Sequence, residues 1–165
     1  MNLARTLKHL MAPHWLTRRA FPAASLAAIE AAVAAAEKQH CGELRFVVEG
    51  GLPLSCLWHD LTPRARAQEL FARLRVWDTE HNSGVLIYVQ LVDRRVEILA
   101  DRGIAARVAQ GQWDELCRGM ERAFGRGDYL QGAVEAVSRG GAILAQHFPA
   151  DADHRNELPD RPLVL

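Results

Sequence analysis

The stretch GVLIYVQLVDRRVEILADRG, residues 84–103, decides the fold. Val85, Ile87, Val89 and Leu91 alternate with Leu86, Tyr88 and Gln90, so residues 85–92 read as a strand with apolar side chains on both faces. Val96, Ile98 and Ala100 alternate with Glu97 and Leu99 in a second strand, 95–100. Asp93 and Arg94 stand between the two at the place of a hairpin turn. A strand apolar on nearly both faces belongs between two layers of helix.

The flanks supply those layers. Phe21-Pro22 opens a long helix, 23–40, with Leu26, Ile29, Val33 and a row of alanines, and Gly42 is placed to end it. Residues 43–49 alternate Leu44, Phe46 and Val48 with Arg45, Val47 and Glu49, a strand. Residues 50–61 read as a loop. Thr62-Pro63 is an N-cap followed by proline at the first helical position, and the helix it starts is expected to reach Trp77 with Ala67, Leu70, Phe71, Leu74 and Trp77 inward. After the hairpin come a short helical turn at 104–109, an amphipathic helix at 112–124 broken by Gly125 and Gly127, and a helix at 129–147 capped by Asp128. A helix between the first two strands implies a right-handed parallel crossover; the third strand then runs antiparallel. The expected fold is a three-layer α/β/α sandwich around a small mixed sheet, in β-α-β-β-α-α order, preceded by an extra N-terminal helix. The expected divisions are an amphipathic segment 1–21, a domain 22–149 and a disordered tail 150–165, whose prolines and acids show no apolar periodicity before Leu163.

Composition narrows the function classes. The chain has 165 residues, 49% hydrophobic and 24% charged, enough for one packed domain. Its formal net charge is zero, so no global field draws nucleic acid or acidic lipid. Cys41, Cys56 and Cys117 form no Cys-x-x-Cys pair, which points to free thiols and a reducing, cytoplasmic setting. No apolar run has the length of a membrane span. Residues 2–20 stand apart: Leu3, Leu7, Leu10 and Met11 fall at helical spacing among Arg5, Lys8 and His9, then Pro13, Trp15, Leu16 and Arg18-Arg19 follow. One reading is a foot on a membrane surface. The other, expected here, docks the segment on its own domain or a partner chain and buries its apolar side chains, each worth roughly 1.5–3 kcal/mol.

Topology also places a candidate site. The starts of the two parallel strands and the end of the antiparallel one share one end of the sheet. Glu43, Asp78, Glu80, His81, Asn82 and Asp101 meet there, a set of hard oxygens with one imidazole that suits Ca²⁺ or Mg²⁺. Arg102 would pair with one of these carboxylates or contact an anion. The competing reading is a solvated sheet end with structural ion pairs. His40-Cys41 and Cys56-x-x-His59 carry zinc-ligand types, but the strand between them spans about 20 Å, and they read as unrelated. Trp77 and Trp113 read as packing residues. No Gly-x-Ser-x-Gly, phosphate loop or Cys-x5-Arg loop is present.

The runs N-S-G-V-L-I-Y-V at 82–89, D-R-R-V-E-I at 93–98 and G-D-Y-x-x-G at 127–132, with Gly42, Glu43 and Val47-Val48, resemble the TPM domain over residues 22–149. The resemblance implies an α/β/α sandwich. It further implies phosphatase activity in some members, divalent metal binding in others, and work in membrane-protein maintenance. Ala100-Asp101-Arg102-Gly103 replaces the Gly-aromatic-Gly turn of many members, and neither an export signal nor a membrane helix is visible. Three functions stay open: an interaction or maintenance module acting on an unidentified protein partner, a metal-dependent phosphatase, and a peripheral membrane protein using residues 1–20. The first is expected, because no base or nucleophile with an orienting partner is evident.

Overall fold

Strand β1 (Glu43–Glu49) pairs in parallel with β2 (Gly84–Gln90), Glu43 opposite Gly84 and Glu49 opposite Gln90. Strand β3 (Arg95–Ala100) runs antiparallel to β2, from Val85 against Ala100 to Gln90 against Arg95. The computed structural model describes residues 3–151 and 155–165. Within it the helices are α1 (Leu3–Leu10), α2 (His14–Ala20), α3 (Ala23–Glu37), α4 (Leu54–Trp58), α5 (Pro63–Arg73), α6 (Arg102–Ala105), α7 (Gln110–Gly125) and α8 (Tyr129–His147). A short strand β4 (Leu163–Val164) completes a mixed sheet of order β3-β2-β1-β4.

Helices cover both faces of this sheet. Leu44, Phe46, Val48, Val85, Ile87, Val89, Val96 and Ile98 pack beneath α3, α7 and α8. Val47, Leu86, Tyr88 and Leu99 face α5, Val76 and Leu158. Strands β1 and β2 are buried along their whole length, as strands between two layers must be.

Helix α5 begins as its cap dictates: the Thr62 hydroxyl accepts the Ala65 N–H at 3.1 Å. It ends at Arg73, short of the expected Trp77. Arg75 takes a left-handed φ of 54°, and the turn delivers Val76 rather than Trp77 to the core. Trp77 is 51% exposed, whereas Trp113 is buried. The chain after α5 then crosses β2 so closely that a Cβ on Gly84 would lie 1.8 Å from the Val76 carbonyl oxygen. Only glycine starts β2 here.

Other local expectations are corrected. The 50–61 loop contains α4. Asp128 does not cap α8 with its side chain; the carboxylate accepts from Arg126 Nε at 3.1 Å. Gly42 lies beyond the end of α3, where it admits the Leu144 side chain at 3.0 Å from its would-be Cβ.

The largest correction is the tail. Residues 155–165 are ordered against the sheet, while 152–154 lie outside the described residues. β4 pairs in parallel with Val47 and Val48 of β1. Leu158 is buried, its N–H donates to Glu43 Oε2 at 2.9 Å, and Arg45 Nη1 donates to the Pro159 and Arg161 carbonyls at 2.7 and 2.6 Å. On the face turned toward α5, strand β1 carries Glu43, Arg45 and Glu49, and the tail's backbone satisfies the first two. Two leucines and a set of backbone groups leave no periodic pattern in the sequence.

Candidate functional sites at the two ends of the sheet

The predicted end comes together in the backbone. Glu43 stands opposite Gly84, and the Asp101 N–H donates to the Gly84 carbonyl at 2.8 Å. The side chains diverge. Glu43 is fully buried toward the tail. Asp101 caps α6, its Oδ1 accepting the Arg102 N–H at 2.7 Å, and its Oδ2 is buried without a hydrogen-bond partner among the described residues. Arg102 Nε donates to Asn82 Oδ1 at 2.8 Å. Asp78, Glu80 and His81 are exposed. Asp78 lies 4.0 Å from Arg75, and the Glu80 N–H donates to Glu157. Among the described residues, no three His, Cys, Asp or Glu side chains are placed to hold one metal ion. The expected ligands therefore do not converge on one cation: the Asn82 oxygen is taken by Arg102, and the Asp101 carboxylate caps α6. His40-Cys41 and Cys56-x-x-His59 lie beyond opposite ends of β1.

Sequence reasoning missed a carboxyl pair at this end. Glu37, the last residue of α3, accepts the Leu44 N–H at 2.9 Å. Burial first, then the neighbouring Glu43 and Asp160, push its carboxyl up to about 8. With His40, Asp151 and Asn156, Glu37 and Asp160 line a cavity of about 270 Å³. Asp160 belongs to a segment that reads as a tail, so no sequence signal joins it to Glu37.

The opposite, hairpin end is more elaborate. Gln90 Oε1 accepts the Val92 and Asp93 N–H groups, and Gln90 Nε2 donates to the Gly50 carbonyl, fixing the turn. Asp93 then receives Arg5 Nη2 at 2.7 Å and His9 Nε2 at 3.1 Å. His9 Nδ1 accepts the Leu52 N–H at 3.0 Å, which assigns the ring's proton to Nε2. Burial opposes ionisation of Asp93, but the hydrogen bonds from Arg5 and His9 outweigh it and hold the carboxyl below its ordinary range. Gly51 lets the 50–53 turn meet α1, since a Cβ there would sit 2.8 Å from the His9 carbonyl.

Helix α1 thus docks by its polar face. Leu3, Leu7, Leu10 and Met11 are 56–74% exposed, and Trp15 is 58% exposed. The expected burial of these side chains on their own domain is therefore not found. Arg5 and His9 have a partly buried carboxylate and a backbone N–H to satisfy, and those bonds turn the apolar stripe outward.

Between α1–α2, the hairpin turn and the α7–α8 junction lies a cavity of about 680 Å³. Met11, Leu16, Leu91 and Phe124 supply apolar lining, and Lys8, Arg94, Arg95 and Arg126 supply positive charge. The one acid among the described residues of its lining, Glu121, accepts the Val96 N–H and pairs with Arg95 at 3.7 Å. Its aromatic floor is fixed: Phe124 stacks on Tyr129 at 5.2 Å, and Phe21 meets Phe124 edge-on at 5.8 Å. Behind it, Arg66 and Tyr88 both donate to buried Glu49, at 2.7 and 2.5 Å. Burial and Glu49 raise the Tyr88 phenol above its ordinary range, so it remains a donor.

Among the described residues no helix is long and apolar enough to cross a membrane. None of the curated proteins compared with this chain matches it. The NMR structure of the BA42 protein from the psychrophilic bacterium Bizionia argentinensis is similar, with a TM-score of 0.77 and 30% identity over 88% of this chain and 95% of that one. The family model of the TPM domain matches residues 18–143. With the α/β/α sandwich and the 82–98 hairpin, that match makes the chain a member of the TPM domain family.

Proposed function

We propose that this TPM-domain protein is an interaction and maintenance module that docks acidic, apolar-anchored segments of other proteins at the hairpin end and turns over no substrate. The observation that carries this is the cavity of about 680 Å³, a size typical of ligand sites, with an apolar floor and four basic side chains around it. Lys8 and Arg94 make no ion pair among the described residues, so their charge faces whatever enters. Groups that would otherwise suggest chemistry have structural duties. Both nitrogens of His9 are engaged, Asp101 caps a helix, and burial pushes the Cys117 thiol up to about 12, far from a reactive thiolate.

Fluorescence anisotropy with a labelled peptide of alternating leucine and glutamate tests the reading. Lys8→Glu combined with Arg94→Glu should weaken binding at least about tenfold, through opposed charge at the rim. Equal binding by the wild type and the double variant would refute it.

The buried, unpartnered Oδ2 of Asp101 favours a second reading, a weakly held Ca²⁺ or Mg²⁺ at the other sheet end. A metal-dependent phosphatase would need that cation together with an activated water.

A further inference from the structure

A helix on a protein surface ordinarily turns its apolar stripe inward. Helix α1 does the reverse: Arg5 and His9 face the domain, while Leu3, Leu7, Leu10 and Met11 face out within one stripe of the helix. Trp15 on α2 is exposed as well. The turn after α4 is tied to α1 through Arg5 and Asp60, 3.5 Å apart, and α4 adds Leu54 and Trp58 at 65% and 76% exposure. Three short helices at one end of the molecule therefore present large apolar side chains that the chain itself leaves uncovered.

Charge indicates what covers them. The first 29 residues hold Arg5, Lys8, Arg18 and Arg19 and no Asp or Glu, whereas the rest of the chain holds sixteen Lys and Arg against twenty Asp and Glu. A neutral chain is thus polarised, with its positive end at the apolar stripe. Arg5 is spent on Asp93, but Lys8, Arg18 and Arg19 are exposed. A second copy would bring like charge against like charge. An anionic lipid surface complements both features: leucine and methionine enter the headgroup boundary, Trp15 sits at the interface, and the cations meet phosphates.

We propose that α1 and α2 form a reversible foot on anionic membrane surfaces, held in its outward orientation by Asp93. This inference uses the outer stripe, which shares Met11 and Lys8 with the cavity lining. Leu3 and Leu7 serve its test, since neither lines that cavity.

The experiment is co-sedimentation of the full chain with equimolar phosphatidylglycerol–phosphatidylcholine vesicles and with pure phosphatidylcholine vesicles. Partitioning onto the anionic vesicles should be at least about tenfold stronger and should fade with salt. Leu3→Ser with Leu7→Ser should weaken it about tenfold or more, without lowering the melting temperature, since both side chains already face water. Three results would overturn the proposal: no preference for anionic vesicles, undiminished binding by the double variant, or a wild-type dimer in light scattering that the double variant dissolves, which would make the stripe a subunit contact.

Discussion

His9 of α1 donates from Nε2 to Asp93 Oδ1 at 3.1 Å, joining the N-terminal helix to a hairpin turn 84 positions away. That bond, with Arg5 beside it, decides which face of α1 points inward. Everything distinctive about this end of the molecule follows from it.

Replacing Asp93 by Ala should release α1. The Arg5 guanidinium and the N–H of a buried imidazole lose their acceptor, so a loss of about 2–3 kcal/mol in urea unfolding is expected. Amide exchange should accelerate over residues 3–12 and stay unchanged in β1 and β2. Uniform acceleration across the sheet would contradict the local role.

Glu37 makes stability depend on pH. Its carboxyl titrates near 8 when folded, against an ordinary 4.5. The folded chain therefore holds a proton that the unfolded chain has released between those values, and stability falls as pH rises across that window. The melting temperature should be higher near the lower end of the window than near the upper end. Glu37→Gln keeps an acceptor for the Leu44 N–H and should flatten the decline. A variant with the same slope as the wild type would show that another group is responsible.

Much of this architecture was legible in the sequence because it rests on periodicity. The period-two runs at 85–92 and 95–100 and the Thr62-Pro63 start signal announce elements that the structure contains. The sheet-end placement of Glu43 and Asp101 followed from topology alone. Side-chain convergence did not follow, because topology orders backbones and leaves each carboxylate to its nearest donor. The N-terminal helix misled for a related reason. Hydrophobic pattern assigns the apolar face to the core, but the half-buried Asp93 and the Leu52 N–H selected the polar face. No local pattern reports a partner 84 residues distant.

The ordered C-terminal segment should matter as much as a core helix does at its edge. Leu158→Ala removes a buried side chain above Val47 and Leu86 and is expected to cost roughly 2–5 kcal/mol, toward the lower part because the site lies beside an edge strand. Urea unfolding with an unchanged slope would report that loss. A midpoint equal to that of the wild type would mean that residues 155–165 contribute nothing to the fold.

Millimolar Ca²⁺ or Mg²⁺ should raise the melting temperature modestly if Asp101 contributes to a cation site, since a ligand bound only by the folded state shifts unfolding. Asp101→Asn retains a cap oxygen and should abolish the shift. A wild-type melting curve unmoved by either ion would end the cation reading. Hydrolysis of an aryl phosphate is expected to be no faster with metal than with chelator.

The claim that the hairpin end is the working end is tested most directly by mapping a nitrogen-15-labelled spectrum during titration with the leucine–glutamate peptide. The predicted shifts fall on Lys8, Met11, residues 91–95 and Phe124 through Tyr129, the walls of the cavity of about 680 Å³. Shifts confined to residues 78–83 and 101–103, with the hairpin end unmoved, would place the working surface at the opposite end of the sheet and contradict the account.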